Sequence, residues 1–326
     1  MRTPRPIPLT VGAVTLALLA SACSSKTTSV PPAAASSTPA SSSASTPATS
    51  PAASDTSSAA SSSPAAAGDP MSLVPAAIHS AGVLNIATDA TYPPNESLNA
   101  DGKTFEGMDI DLANAIGEKL GLKVKFQNVT FDQILAGLKG GKYNLSLSSF
   151  TDTKEREAKV DFVTYFKAGT SVIVLKGNPA KILGPDDLCG RKVAIETGTT
   201  QELVDLPAKT KACKDAGKAA VVAVALPDQN AASLAVQSGR ADATLADSPV
   251  GEYQAKQPGA KFEVAGKSYN DAPYGIAVAK DAGTLKDAVL AALNALIADG
   301  SYKKILDKWS IADGAITTPV LNGASS

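Results

Sequence analysis

From Leu145 to Phe162 the chain reads Leu-Ser-Leu-Ser-Ser-Phe-Thr-Asp-Thr-Lys-Glu-Arg-Glu-Ala-Lys-Val-Asp-Phe. A small-and-apolar run of strand character ends in the hydroxyl residues Ser148, Ser149 and Thr151, and Arg156 follows within two helical turns. Short donors at a strand end, backbone N–H groups and a planar guanidinium make a cradle for a small anion. Two parallel N–H bonds to a carboxylate are a geometry that Lys cannot imitate. Standing between Glu155 and Glu157, Arg156 fits equally well as a solvated arginine at the start of a helix. A second donor-rich turn, Glu196-Thr197-Gly198-Thr199-Thr200-Gln201-Glu202, follows the short apolar strand Lys192-Val193-Ala194-Ile195. Such a turn exposes unpaired N–H groups and the positive end of the helix dipole, or simply caps the helix it opens.

An internal echo links the first cradle to a carboxylate. Leu135 to Ser149 reads as helix, Gly-Gly-Lys-x-Asn, then Leu-Ser-Leu-Ser-Ser; Leu234 to Asp247 reads as helix, Ser-Gly-Arg-x-Asp, then Ala-Thr-Leu-Ala-Asp. Gly141 aligns with Gly239, and Ser149 with Asp247. Ligands collect at the carboxyl ends of strands in open α/β sheets, so two similar lobes would present Ser149 and Asp247 to one crevice. Taken alone, Asp247 before Ser248-Pro249 also reads as a helix cap, and Asp89 before a Pro-rich stretch as a turn residue.

The elements that must position these groups alternate. Val83 to Thr88 is a β-rich run halted by Asp89-Ala90-Thr91-Tyr92-Pro93-Pro94. Asp109 to Leu120 carries apolar residues at helical spacing and closes at Gly121; Lys123 to Asn128 reads as a strand, Phe131 to Leu138 as a helix and Tyr143 to Ser148 as a strand. The alternation resumes at Val172 to Leu175 and Lys192 to Ile195, includes a strand at Tyr274 to Ala279, and ends in two helices with apolar faces at Leu285, Val289, Leu293, Leu296 and Ile297, then Tyr302, Ile305, Leu306 and Trp309. This is an α/β body with mainly parallel sheets.

The single histidine, His79, excludes most His-dependent triads and His-rich zinc sites, and a net charge of -1 gives no footprint for nucleic acid. No cofactor or metal is implied. Met1 opens an export signal with Arg2 and Arg5, an apolar run from Val11 to Ala20 and a small-residue end at Ala20-Ser21-Ala22. Cys23 follows directly, as in a bacterial lipobox, although Ala20 stands where a leucine is usual; cleavage before Cys23 and lipidation of its thiol are expected, with an ordinary cleaved signal as the alternative. Residues 24–68 are almost entirely Ser, Ala, Pro and Thr, too poor in apolar side chains to offset ordering entropy, and read as a tether. Cys189 and Cys213 are expected to pair in an exported chain, closing a loop worth roughly 3 kcal/mol.

Together these motifs resemble the family 3 extracellular solute-binding proteins that serve polar amino acid ABC importers. The resemblance is carried by Tyr92-Pro93-Pro94 with Glu96, Gly107-Met108-Asp109-Ile110-Asp111-Leu112, Lys119-Leu120-Gly121, Phe131-Asp132, Thr153-Lys154-Glu155-Arg156, Val160-Asp161-Phe162, Gly198-Thr199-Thr200, Gly239-Arg240-Ala241-Asp242-Ala243, and Asp299-Gly300-Ser301-Tyr302 before Trp309. It spans Val83 to Trp309. Departures are Asn95, where the family has an apolar residue, and Asn144, where an aspartate is usual.

The resemblance implies a two-lobed, periplasmic-binding-protein-like type II fold with a hinge. A signal peptide over 1–22 and a lipidated tether over 23–70 would precede lobe 1, comprising 71–168 and 274–321, with lobe 2 at 169–273. Arg156 would clamp a ligand α-carboxylate, helped by Thr151, Thr199 and Thr200. Asp247 would accept the α-ammonium with help from Ser149, and Asp89, Tyr92, Phe131 and Ser148 would line the pocket. An acidic Asp89 favours Gln, Arg, Lys or ornithine over Glu or Asp. The implied partners are a free amino acid and an importer permease, with the membrane reached only through the lipid of a monomeric protein held on the outer face of the cell membrane. Alternatives are an exported dehydratase-like enzyme, for which Glu196 is the one candidate acid against an exposed strand-end role, and a sensory binding module without an importer.

Overall fold

The computed structural model describes residues 69–325. The signal, Cys23 and the tether lie outside the described residues.

A short helix α1 (Ala76–Ala81) leads into β1 (Val83–Thr88). The strands β2 (Thr91–Tyr92), β3 (Glu96–Leu98) and β4 (Phe105–Glu106) then form a small antiparallel sheet. Helix α2 (Met108–Lys119), β5 (Lys123–Asn128), α3 (Phe131–Lys139), β6 (Leu145–Ser146) and the four-residue helix α4 (Lys154–Glu157) complete the first run. The long strand β7 (Val160–Leu175) leads to β8 (Lys192–Glu196), a π-turn over Gln201–Asp205, α5 (Leu206–Asp215), β9 (Val222–Leu226), α6 (Gln229–Gln237), β10 (Ala243–Asp247) and α7 (Ser248–Lys256). The long strand β11 (Phe262–Ala279) returns to α8 (Leu285–Ala298) and α9 (Ser301–Trp309).

Among the described residues one sheet of eight strands runs β5-β1-β6-β11-β7-β10-β8-β9. Its two outer parts pair in parallel, β5 with β1 and β1 with β6 on one side, β10 with β8 and β8 with β9 on the other. The antiparallel pairings are those of β7 and β11, the long strands that run through both parts. The β7–β11 register slips between Ala265 and Tyr269, and again between Tyr269 and Ala272. Apolar packing divides at the same place. One buried cluster joins residues from Val74 through Ala168 to those of Tyr274 through Leu306; another joins Val172 through Ala265.

The strand expected over Tyr143 to Ser148 is reduced to Leu145–Ser146, because Ser149 turns into the left-handed region at φ 48° and bends the chain out of the sheet. The short strands expected at Val172 to Leu175 and Tyr274 to Ala279 are the ends of β7 and β11. The echo between the halves has a backbone cause. Asn144 N donates to Asn85 O and Asn144 Oδ1 accepts from Asn85 N, while Asp242 N donates to Lys192 O and Asp242 Oδ2 accepts from Lys192 N. In each half the residue before the strand ties it to its parallel neighbour by the same two bonds. Asn144 replaces aspartate at no cost, since only an acceptor is needed.

Cys189 and Cys213 are disulfide-bonded. Replacing both by serine should lower unfolding free energy by about 3 kcal/mol while leaving ligand affinity within about twofold, because the bridge packs beside the second cluster and away from the strand ends. Chemical denaturation and titration calorimetry on the double variant measure the two effects.

Candidate functional site

The carboxyl ends of β1, β6, β8 and β10 converge on one crevice. A cavity there is lined by Tyr92, Phe131, Ser149, Thr151, Arg156, Thr199, Thr200, Gln201 and Asp247, and admits the centre of a water-sized sphere over about 10 Å³. That is room for roughly one water molecule. The two sides therefore meet: Arg156 Nη2 donates to Gly198 O at 2.9 Å, Gln229 N to Thr91 Oγ1 at 3.3 Å, and Tyr92 Oη to Glu196 Oε2. Gly198, at φ 86°, lies against the backbone of Asp132 where a side chain would crowd it.

Arg156 is 6% exposed. Thr153 caps its short helix by accepting from Arg156 N, which turns the guanidinium inward. There it stacks over Phe150 at 4.5 Å and Phe131 at 5.5 Å from the ring centroids, and donates to Thr151 O at 2.8 Å. Among the described residues no carboxylate comes within 4.0 Å of its nitrogens. Burial brings its pKa down to about 10, with Asp247 acting the other way, so it is cationic at neutral pH.

Asp247, on the opposite wall at the end of β10, accepts from Tyr274 Oη at 2.6 Å and Gln201 Nε2 at 2.7 Å. Burial raises it to about 6, opposed by those two donors and by Arg156. Ser149 Oγ accepts from Asn95 Nδ2 at 2.9 Å and donates to Glu96 at 3.0 Å, and its N–H reaches Asp109 Oδ2 at 2.9 Å. Asn95 thus exchanges an apolar contact for a hydrogen bond. Asp109 reaches Ser149 because the loop ahead of α2 passes so close to Asn95 that a side chain at Gly107 would collide with the Asn95 carbonyl.

Asp89, Ser148 and Glu196 form a separate end. Ser148 does not line the cavity; fully buried, its hydroxyl accepts from Asp89 N at 2.8 Å and holds the end of β1. Asp89 accepts from Thr91 Oγ1 and from Phe131 N. Glu196 is 1% exposed rather than the exposed strand-end carboxylate that is the ordinary expectation, because the Tyr92 side closes over the end of β8. Burial first, then the nearby Asp89, raises Glu196 to about 10, so it is a neutral acid beside Asp89, itself raised by burial. Thr199 Oγ1 donates to Glu196 O, and Thr200 remains in the cavity wall.

Reasoning from sequence missed Gln201, Tyr274, Gly198 and Phe150. Gln201 follows the Gly-Thr-Thr turn, which could have marked it. Tyr274 and Phe150 carried no local signal, since both read as core.

The chain belongs to the bacterial extracellular solute-binding proteins, family 3, whose profile matches residues 84–312. Among its relatives is the arginine-binding protein of Corynebacterium glutamicum, 31% identical over 251 residues that cover 77% of this chain and 82% of that protein. An ancestral arginine-binding protein solved with arginine is 38% identical, with a TM-score of 0.64 over 70% of this chain and 98% of that one. An ancestral amino acid-binding protein described as a precursor of cyclohexadienyl dehydratase is 36% identical, with a TM-score of 0.62 over 72% and 97%. The fold is the two-lobed type shared with these amino acid-binding proteins. Among the described residues no helix is long and apolar enough to cross a membrane.

The carboxyls that face the crevice set a pH dependence. Asp247 and Glu196 are both raised in the folded state, so the stability each confers is complete below its ordinary range near pH 4 and is lost as pH rises, through about 6 and about 10 respectively. Asp161 and Asp299, held low by lysines, stay ionised in both states above about pH 5. The melting temperature of the unliganded protein should therefore fall from about pH 5 to about pH 9, and Glu196→Gln should flatten the slope. Calorimetry across that range checks the sign; a rising curve would contradict it.

Proposed function

We propose that this chain captures a free L-amino acid with a cationic or donor-bearing side chain, arginine foremost, and delivers it to an ABC importer permease while tethered outside the cell membrane through lipid on Cys23. One observation carries the reading. Two buried, opposite charges, Arg156 on α4 and Asp247 at the end of β10, face one cavity, and among the described residues each is held by neutral partners instead of by a counter-ion. A buried charge without a counter-charge is costly, and a zwitterion offers each one its opposite. The α-carboxylate would pair with Arg156, Thr151 and the Thr199–Thr200 turn, and the α-ammonium with Asp247 and Ser149. Tyr92 and Phe131 would flank the side chain, whose cationic end reaches Asp89 and Glu196.

Lobe 1 at 71–168 and 274–321 and lobe 2 at 169–273 would close about crossings near 168–170 and 268–272. The β7–β11 register slips at Ala265, Tyr269 and Ala272 support a hinge there. The ligand then selects the closed state by bringing opposite charges to both walls. The relatives named for arginine support the ligand class. A dehydratase reading draws on the ancestral precursor and on Glu196 as acid. That neighbour is itself described as an amino acid-binding protein, which supports the binding reading over the enzymatic one.

A thermal-shift series of the folded body against the amino acids tests the proposal. Arginine at about 100 times its Kd should add about 2.7 kcal/mol, and no shift with any amino acid would end this reading. Arg156→Ala should abolish the shift with little change in the unliganded melting temperature. A guanidinium bound at that end would favour the ionised form of Glu196, so Glu196→Gln should weaken arginine by about tenfold or more and weaken glutamine by less, as titration calorimetry would show.

A further inference from the structure

The long strand β7 has β11 along one side over most of its length, whereas its other side meets β10 only at Thr170 to Val174. The Phe162 to Thr164 stretch of that second edge is taken by the chain's own closing segment. Thr164 N donates to Val320 O and Val320 N to Thr164 Oγ1, both at 2.9 Å; Asn322 N donates to Phe162 O at 2.9 Å, and Phe162 N to Asn322 Oδ1 at 2.8 Å. Covering a bare strand edge would account for those bonds. It does not account for the next two. Gly323 N donates to Asp152 Oδ2 at 2.8 Å and Ala324 N to Glu157 Oε1 at 3.0 Å, so the segment leaves the strand and grips both ends of the turn that carries Arg156.

Asp152 is 2% exposed and directly precedes the Thr153 cap; Glu157 ends the helix. Between them Arg156 draws its orientation from Thr151 O and Thr153 Oγ1, both on the gripped turn. Ser325 continues into the wall of a cavity of about 540 Å³ shared with Thr151, Thr153 and Thr200.

We propose that Val320–Ala324 is a strap whose last two N–H groups fix the Thr151–Glu157 turn, and that Asp152 and Glu157 are positioning residues which aim the Arg156 guanidinium at the ligand's carboxylate. The proposal rests on the amino acid reading above, and it separates carboxylate recognition from general stability. A strap that only stabilised the fold would affect every ligand alike. A strap that aims Arg156 affects only ligands with a carboxylate.

The test is titration calorimetry of the full chain, of a chain ending at Pro319, and of Asp152→Ala and Asp152→Asn in the full chain. Each is titrated with L-arginine and with agmatine, the same molecule without its carboxylate. The shortened chain and Asp152→Ala should lose about tenfold or more in affinity for L-arginine and less than about twofold for agmatine. Asp152→Asn, which keeps an oxygen for Gly323 N, should restore most of the L-arginine affinity. Circular dichroism melts confirm that each variant is folded, and Asp152→Ala carries the test if the shortened chain is not. An equal loss for both ligands, no loss for L-arginine, or failure of Asp152→Asn to restore binding would overturn the strap. A full chain that binds no amino acid overturns the ligand reading itself and the strap with it.

Discussion

A guanidinium kept away from water and, among the described residues, from direct contact with a carboxylate is the condition on which the site depends. Arg156 is held by two backbone carbonyls and two aromatic faces, none of which neutralises its charge. Backbone oxygens and ring quadrupoles offset part of the desolvation cost and orient the plane, but they leave the net charge to be met by something else. Asp247 poses the same problem with the opposite sign across the cavity, and the two are carried by different elements, Arg156 by α4 and Asp247 by the end of β10. The cavity therefore has a cationic group on one wall and a carboxyl on the other, and their placement depends on geometry more than on the strength of any one bond.

The sheet explains why these charges share one cavity. Each half is a parallel βα run whose strands deposit their carboxyl ends on the same side, and the β7–β11 pair threads both halves into one ladder. Irregular pairing in the middle of that ladder leaves fewer regular bonds between the halves, at the place where the apolar packing also divides. Burial raises Asp89, Glu196 and Asp247 where the walls meet, so rising pH works against that contact unless a cation supplies the missing charge.

Much of this was legible in the chain, and for identifiable reasons. The β1, β5 and α3 segments have strong period and clear breakers, and their expected bounds lie within a residue of those observed. The echo of Ser149 in Asp247 was visible because each strand is preceded by the same Gly-x-x-Asn or Gly-x-x-Asp turn, whose side chain ties parallel neighbours together. Less was legible where a residue's environment comes from distant segments. Glu196 reads as an exposed strand end until Tyr92, more than a hundred positions earlier, closes over it. Tyr274 and Phe150 look like core, and only their neighbours turn one toward Asp247 and place the other beneath Arg156.

The sequence by itself determined the alternating α/β character and the order along the chain of the hydroxyl residues, Arg156 and Asp247, because period, turn chemistry and charge are local properties. Only the tertiary structure decided that Ser148 braces β1 from outside the cavity, that Gln201 and Tyr274 hold Asp247, and that Glu196 is a neutral acid against Asp89. Those outcomes depend on which groups exclude water from one another, and that is settled when distant segments pack together.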